Sequence, residues 1–272
     1  MPSGAAVRPS TFSDLFAQRR AEGRLALLPW IMAGERDDEA SVAVLERMVE
    51  AGADGFEISI PFSDPMADGP TVQRANQRGL ERGMTVAGAL ALLGKVRQRV
   101  TVPIALMGYA NPFVRYGLEK FARDAVAAGA NGWIVPDVPY EEADDFRRAA
   151  AAAKLDLVQF VAPTTTAQRA LVVAREAKGF IYCVSLTGVT GARTDLAAGL
   201  DDLLARVKAA TNTPIVVGFG ISTPQHLIRL RGKADGAIVA SALVDLMEKA
   251  ADPIEAAGSF VTTLRAGADG NA

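Results

Sequence analysis

The sequence predicts an α/β protein of the closed (β/α)8 class, a TIM barrel with an extra N-terminal helix. Three observations carry that reading. Eight short apolar runs, each followed by a helical pattern, alternate without a break from residue 25 onward. The first run is continuously apolar rather than alternating in polarity, as expected of a parallel strand covered on both faces. No strand-turn-helix carries the G-x-G-x-x-G fingerprint of an open dinucleotide-binding sheet, which favours closure over a doubly wound sheet. At 272 residues the chain has the size of one such barrel. No linker, charge run or low-complexity tract divides it, so residues 1–272 read as a single domain.

Residues 10–22 place Phe12, Leu15 and Phe16 at helical spacing and form the extra helix. Residues 25–32 are the first strand. Gly34 breaks the chain, and residues 38–51 are a helix with Val42, Val44, Leu45 and Met48 inward, ended by Gly52. In the second strand, Phe56, Ile58 and Ile60 share one face while Glu57 and Ser59 share the other. Pro61 cannot donate a ladder hydrogen bond and ends that strand. Residues 61–70 read as a loop bearing the carboxylates Asp64 and Asp68, and the next helix as residues 85–99.

The alternation continues with strand 102–109, helix 117–128, strand 132–135, helix 141–153, strand 156–161, helix 167–177 and strand 180–185. A glycine-bearing segment, 186–199, precedes the helix 200–210. Strand 214–218, helix 224–231 and strand 236–239 follow, and helices 241–250 and 253–266 close the chain.

Half of the residues are apolar and 22% are charged, which supports a large buried core. The net charge of −2, with signs interspersed, gives no reason to expect nucleic acid or an anionic membrane as partner. Cys183 is the only cysteine, so no intrachain disulfide forms and nothing points to an oxidising compartment. No apolar run reaches the roughly 18 residues of a membrane helix, and residues 1–9 lack the basic and apolar regions of a signal peptide. The expectation is a soluble, cytoplasmic protein.

In such barrels the reacting groups come from the C-terminal ends of the strands and the loops behind them. An inward carboxylate such as Glu57 is costly unless it is paired or used. Gly191, Gly220, Ala240 and Ser241 lie in the loops after strands 6, 7 and 8. There, glycines allow close backbone approach and a helix N-terminus presents unpaired N–H groups, the makings of a phosphate site.

Several chemistries are disfavoured. Schiff-base formation needs a lysine in the barrel, whereas Lys95, Lys120, Lys154, Lys178, Lys208, Lys233 and Lys249 fall on helices or at strand entrances. A metal site needs a ligand cluster, and His226, the only histidine, reads as a surface or packing residue. Cys183 reads as a small core hydrophobe. Acid/base work by carboxylates on a phosphorylated small molecule remains. Tyr109 and Tyr182 are available to assist, although strand tyrosines more often serve packing.

Taken together, six segments resemble the tryptophan synthase alpha chain family. They are F-E-I-S-I-P-F-S-D-P-M-A-D-G-P-T-V-Q at 56–73, L-M-G-Y-A-N-P at 106–112, V-P-D-V-P-Y-E-E at 135–142, L-T-G-V-T-G-A-R at 186–193, G-F-G-I-S at 218–222 and I-V-A-S-A-L-V at 238–244. The first is highly specific; the last two are shared by many phosphate-binding barrels.

The resemblance implies a lyase of tryptophan biosynthesis that cleaves indole-3-glycerol phosphate to indole and glyceraldehyde 3-phosphate. Glu57 would be the acid/base and Asp68 the anion that accepts the indole N–H. Trp30, Met107 and Phe219 would flank the indole, with Tyr182 lining the pocket near Glu57 and Thr190 ordering the loop that carries Asp68. Gly191, Gly220, Ala240 and Ser241 would bind phosphate. It also implies an α2β2 tetramer in which indole passes to a tryptophan synthase beta chain that carries pyridoxal phosphate, with no cofactor in this chain. A free-standing lyase and a non-catalytic phosphate-binding activator subunit are the alternatives.

Glu57 near an apolar pocket is expected to have a raised pKa, and a more solvated Asp68 to stay ionised. Four departures from the family pattern stand out. Ser59 replaces a usual glycine, Trp30 a smaller aromatic, Glu35-Arg36 a usual Asp-Pro, and Ala240 a glycine whose N–H survives if φ is negative.

Overall fold

The structure, a computed structural model, describes residues 11–184, 199–218 and 220–270. Its strands in chain order are β1 Ala26–Met32, β2 Phe56–Ser59, β3 Ile104–Met107, β4 Gly132–Ile134, β5 Asp156–Leu157, β6 Gln159–Val161, β7 Ile181–Val184, β8 Ile215–Gly218 and β9 Gly236–Val239. All pair in parallel, in the order β5-β4-β3-β2-β1-β9-β8-β7-β6. β5 and β6 stand at opposite ends of that order yet are one run of chain broken at Val158. The expected fifth strand therefore serves two neighbours, β4 with its first half and β7 with its second, and so closes the ring.

The helices are α1 Phe12–Ala21, α2 Asp38–Glu50, α3 Pro70–Glu81, α4 Val86–Val96, α5 Ala110–Tyr116, α6 Leu118–Ala128, α7 Asp144–Ala153, α8 Ala167–Glu176, α9 Leu200–Ala210, α10 Pro224–Leu230, α11 Ser241–Lys249 and α12 Pro253–Asp269. Two of these are absent from the sequence reading. α3 starts at Pro70, whose fixed φ suits the first helical position and whose missing N–H costs nothing there. α5 follows β3 at once, its first N–H bound by the Asp137 carboxylate at 3.0 Å. The expected helix 141–153 divides into a 3-10 turn, Tyr140–Glu142, and α7.

Strand alternation splits the core into two. Leu27, Ile31, Phe56, Ile58, Ile104, Leu106 and Trp133 face the helices. Ala26, Leu28, Trp30, Met32, Ala105, Met107, Tyr182, Val216 and Ile238 face the barrel axis, with Glu57 and Ser59 buried among the inward set as the period predicts. The N-terminal mouth is plugged by α1, whose Phe12 and Phe16 rings sit edge-on to Phe180 at 5.2 and 5.9 Å. α1 is itself started by a capping box between Thr11 and Asp14.

At that same end Asp54 accepts from the Leu27 N–H at 2.8 Å and from Arg265 and Arg19 at 2.6 and 2.8 Å. This ties α12 and α1 to the start of β2. With the N-terminal mouth closed, the chemistry has the opposite end to itself.

Candidate active site

A cleft opens at the C-terminal ends of the strands, with Glu57, Asp68, Trp30, Met107 and Tyr182 around one part and Gly220, Ala240 and Ser241 around another. Glu57 is held by β2, in register with Trp30 on β1 and Ala105 on β3, and is only 2% exposed. Burial pushes its carboxyl up to about 8; the nearby Asp68 charge adds to the rise, and a hydrogen bond from Tyr182 opposes it. Glu57 Oε2 is buried with no hydrogen-bond partner among the described residues. An unpaired buried carboxyl oxygen is expensive in a resting protein and serviceable in one that exchanges protons.

The Tyr182 ring is fixed by its neighbour on β8. A Cβ on Gly218 would fall 2.3 Å from the Tyr182 hydroxyl, so only glycine lets the phenol reach Glu57. Tyr182 thus both packs in the barrel interior and hydrogen-bonds to Glu57.

Asp68 ends the loop after β2, and its surroundings narrow the contrast with Glu57 that the sequence predicts. It is the more solvated of the two carboxylates, but only narrowly: it is 6% exposed against 2% for Glu57, with Asn76 of α3 beside it. Burial lifts its carboxyl to about 6, against hydrogen bonds from Tyr109 and Asn76 that favour the ionised form. It is still ionised near neutral pH, as expected, although with a much smaller margin.

Asn76 Nδ2 donates to Asp68 Oδ2 at 3.2 Å and its Oδ1 accepts the Phe62 N–H at 3.0 Å. The Tyr109 hydroxyl accepts the Ala67 N–H at 3.0 Å, and its ring stacks on Phe62 at 5.3 Å. Asp64, by contrast, is exposed at the rim.

The apolar wall joins two of the departures noted above. Trp30 Nε1–H donates to Ser59 Oγ at 2.8 Å, and the Ser59 hydroxyl donates to Met107 Sδ at 2.9 Å. Glu35 lies apart from the cleft, paired with Arg78 of α3 at 2.6 Å. Arg78 also reaches Glu248, while Thr71 and Arg74 bind Asp245 at 3.1 and 2.8 Å. Through this network α3, which follows Asp68, is fastened to α11.

The other end of the cleft fits an anion. Gly220 adopts φ +76, a left-handed conformation that favours glycine. α11 begins at Ser241 with no side-chain cap, so its first N–H groups face the cleft with the positive end of the helix dipole. Ala240 has φ −119, which preserves the backbone N–H that its replacement of glycine put in question.

Sequence reasoning gave no site role to Val72, Ile221, Ser222, Ile238 and Ala242 of the lining. Of the two readings left open for His226, surface or packing, the second holds. His226 is buried, and its Nδ1 accepts the Ser222 N–H at 3.2 Å, which shapes the loop after β8. Cys183 is a buried core residue as expected, its thiol pushed up to about 12 by burial. Thr190, Gly191 and Phe219 lie outside the described residues.

The family model of the tryptophan synthase alpha chain matches residues 16–267. The tryptophan synthase alpha chain of Chloroflexus aurantiacus is 49% identical over 258 residues, covering 94% of this chain and 97% of that one. That of Roseiflexus castenholzii is 47% identical, covering 94% and 99%. Among solved structures, Mycobacterium tuberculosis tryptophan synthase aligns with a TM-score of 0.86 at 35% identity, covering 96% of this chain and 99% of that one. The Legionella pneumophila tryptophan synthase alpha chain aligns with a TM-score of 0.86 at 33% identity, covering 95% and 97%. By descent and by fold the chain belongs to the tryptophan synthase alpha chain family, the lyase subunits of tryptophan synthase.

Proposed function

We propose that this chain cleaves indole-3-glycerol phosphate to indole and glyceraldehyde 3-phosphate, with Glu57 as the acid/base and Asp68 as the anion at the indole nitrogen. The observation that carries the reading is one cleft lined by two inward carboxylates of unequal basicity and, elsewhere on its wall, by the uncapped start of α11.

Breaking a carbon–carbon bond needs an electron sink, and the indole ring can be its own. Protonated Glu57 delivers its proton to indole C3, and the positive charge that develops on the ring is balanced at N1–H by ionised Asp68. The glycerol hydroxyl on the carbon attached to C3 then returns a proton to Glu57. Its oxygen becomes the aldehyde, and the electrons of the breaking bond restore the aromatic ring. Glu57 ends as it began, and one group can serve both transfers because its pKa lies near the working pH. Each transfer is worth about 10²–10⁴ in rate.

Trp30 and Met107 would flank the ring, joined by Phe219, with Tyr182 beside Glu57. Gly220, Ala240 and Ser241 would hold the phosphate, with Gly191 adding an N–H and Thr190 ordering the loop of Asp68. The indole would pass to a beta chain in an α2β2 tetramer in the cytoplasm. The surface that fits that partner is the rim beside the site. There Met66 is 82% exposed and Val114 58%, the latter in a groove with Phe62, Asn111 and Arg115. Pyridoxal phosphate would belong to the beta chain, since every lysine here lies on a helix or at a strand entrance.

Glu57→Gln should abolish cleavage while leaving the affinity for a non-cleavable indole-3-alkyl phosphate within about threefold. Near-wild-type turnover would overturn the assignment. Full turnover of the isolated chain, unchanged by a beta chain, would favour a free-standing lyase.

A further inference from the structure

We propose that Ser59 is a positioning residue that locks Trp30 and Met107 into one rigid wall and thereby sets how large an indole ring the cleft admits. The proposal deepens the indole reading above and rests on it for the class of ligand.

Trp30 is buried, so its N–H must find an acceptor or lose its hydration uncompensated. The acceptor is Ser59 Oγ, at 2.8 Å, and the hydroxyl proton of Ser59 is in turn committed to Met107 Sδ at 2.9 Å. These side chains come from three adjacent strands and share the inner face, with Ser59 paired in register to Met32 on one side and to Met107 on the other. The two ends of the chain, Trp30 and Met107, line the cleft; the middle member is buried and does not. Ser59 therefore acts on a bound ring only through its neighbours.

What it does to them follows from their freedom. A tryptophan ring has a single N–H, and rotating the ring about its side-chain torsions carries that donor away from a fixed acceptor. Methionine has three rotatable bonds and fills space loosely unless something selects a rotamer. One hydroxyl, held by the backbone of β2, supplies the acceptor for the first and a donor for the second. Trp30 is also the register partner of Glu57, so the same bond fixes part of the apolar surround of the acid/base group.

The test is equilibrium binding of indole-3-propyl phosphate and of its counterpart methylated on the benzene ring, which requires no turnover. Wild type, Ser59→Ala, Trp30→Phe and the double variant are compared. Wild type should bind the methylated ligand about tenfold more weakly than the parent, since one methyl at a shaped apolar wall is worth roughly that much. Ser59→Ala should cut that ratio to about threefold or less. In the Trp30→Phe background, where no N–H needs an acceptor, Ser59→Ala should change it by less than about twofold.

An independent readout is the emission of Trp30, isolated as the difference between each spectrum and that of its Trp30→Phe counterpart. It should move to shorter wavelength when Ser59 becomes alanine. An unchanged ratio and spectrum in Ser59→Ala, or the same change with Trp30 absent, would overturn the proposal. Discrimination without cleavage by wild type would sink the lyase reading and leave this one standing; cleavage with an indifferent Ser59→Ala would do the reverse.

Discussion

Asn76 donates to Asp68 Oδ2 across 3.2 Å while its own carbonyl oxygen accepts the Phe62 N–H, so one buried amide on α3 ties both ends of the loop between β2 and α3. Asp68 ends that loop, and its charge depends on donors to offset its burial. Asn76→Ala removes one donor to the carboxylate and orphans the Phe62 N–H. Losing a hydrogen bond to a charged group costs about 1.5–3 kcal/mol, roughly a 10- to 100-fold fall in kcat/KM near neutral pH. The acidic limb of the pH profile should also move upward, because the donor that is removed had been lowering the Asp68 pKa. A variant with wild-type kcat/KM and an unmoved limb would show that Asn76 only packs.

The pH dependence of the wild type follows from the same two groups. In the proposed cycle Asp68, with a carboxyl near 6, acts ionised, so kcat/KM should rise as pH passes upward through about 6. Glu57, near 8, would start that cycle protonated, so kcat/KM should fall as pH passes through about 8. The two carboxyls sense each other, and the measured limbs belong to the pair. Asp68→Asn should erase the acidic limb and leave the alkaline one. A profile flat from pH 5 to 9 would remove both groups from the chemistry.

How much of this was legible in the sequence depends on distance along the chain. The strands read correctly because buried parallel strands are short, apolar and punctuated by glycine and proline. Glu57 read as inward because strand period is local. α3 did not, since the prolines at 61, 65 and 70 argued for a loop and the residues behind them have no element in the sequence reading, even though Val72, Ala75, Asn76 and Gly79 follow a helical spacing. Missing α3 concealed Asn76 and made the contrast in solvation between Asp68 and Glu57 look wider than it is. Ser59 and Trp30 appeared as two separate oddities, because the bond between them spans 29 positions and exists only in the β1–β2 register. His226 looked unremarkable for a related reason: its role is set by a turn, Ser222 to His226, that composition does not reveal.

Glu57 should weaken the fold it serves. Its folded pKa, near 8, lies above the ordinary 4.5, so the folded state binds this proton more tightly than the unfolded chain does. The stability it contributes is complete below about pH 4.5 and is lost as pH rises through about 8. Glu57→Gln carries no charge at any pH and escapes that loss. Denaturant titrations should find the variant increasingly more stable than wild type between pH 5 and 8, reaching on the order of 4 kcal/mol as an upper figure. A constant difference across that range would mean that Glu57 titrates normally.

The opposite end of the barrel supplies the control. Asp54 sits among Arg265, Arg19 and the Leu27 N–H, and its side chain is 3% exposed against 10% for Arg265. Removing the carboxylate leaves a buried guanidinium with only Asp269 and backbone carbonyls for company. Breaking such a pair costs about 3–5 kcal/mol, which for a chain of this size lowers Tm by roughly 10 °C. None of these groups lines the cleft, which opens at the other end of the barrel interior. Asp54→Ala should therefore lower Tm while the folded enzyme, assayed well below the transition, keeps its kcat and KM within about twofold. Asp54→Asn keeps an acceptor for the Leu27 N–H and should melt between the two. Should Asp54→Ala lose activity while still fully folded, the separation of a stabilising N-terminal end from a catalytic C-terminal end would fail for this barrel.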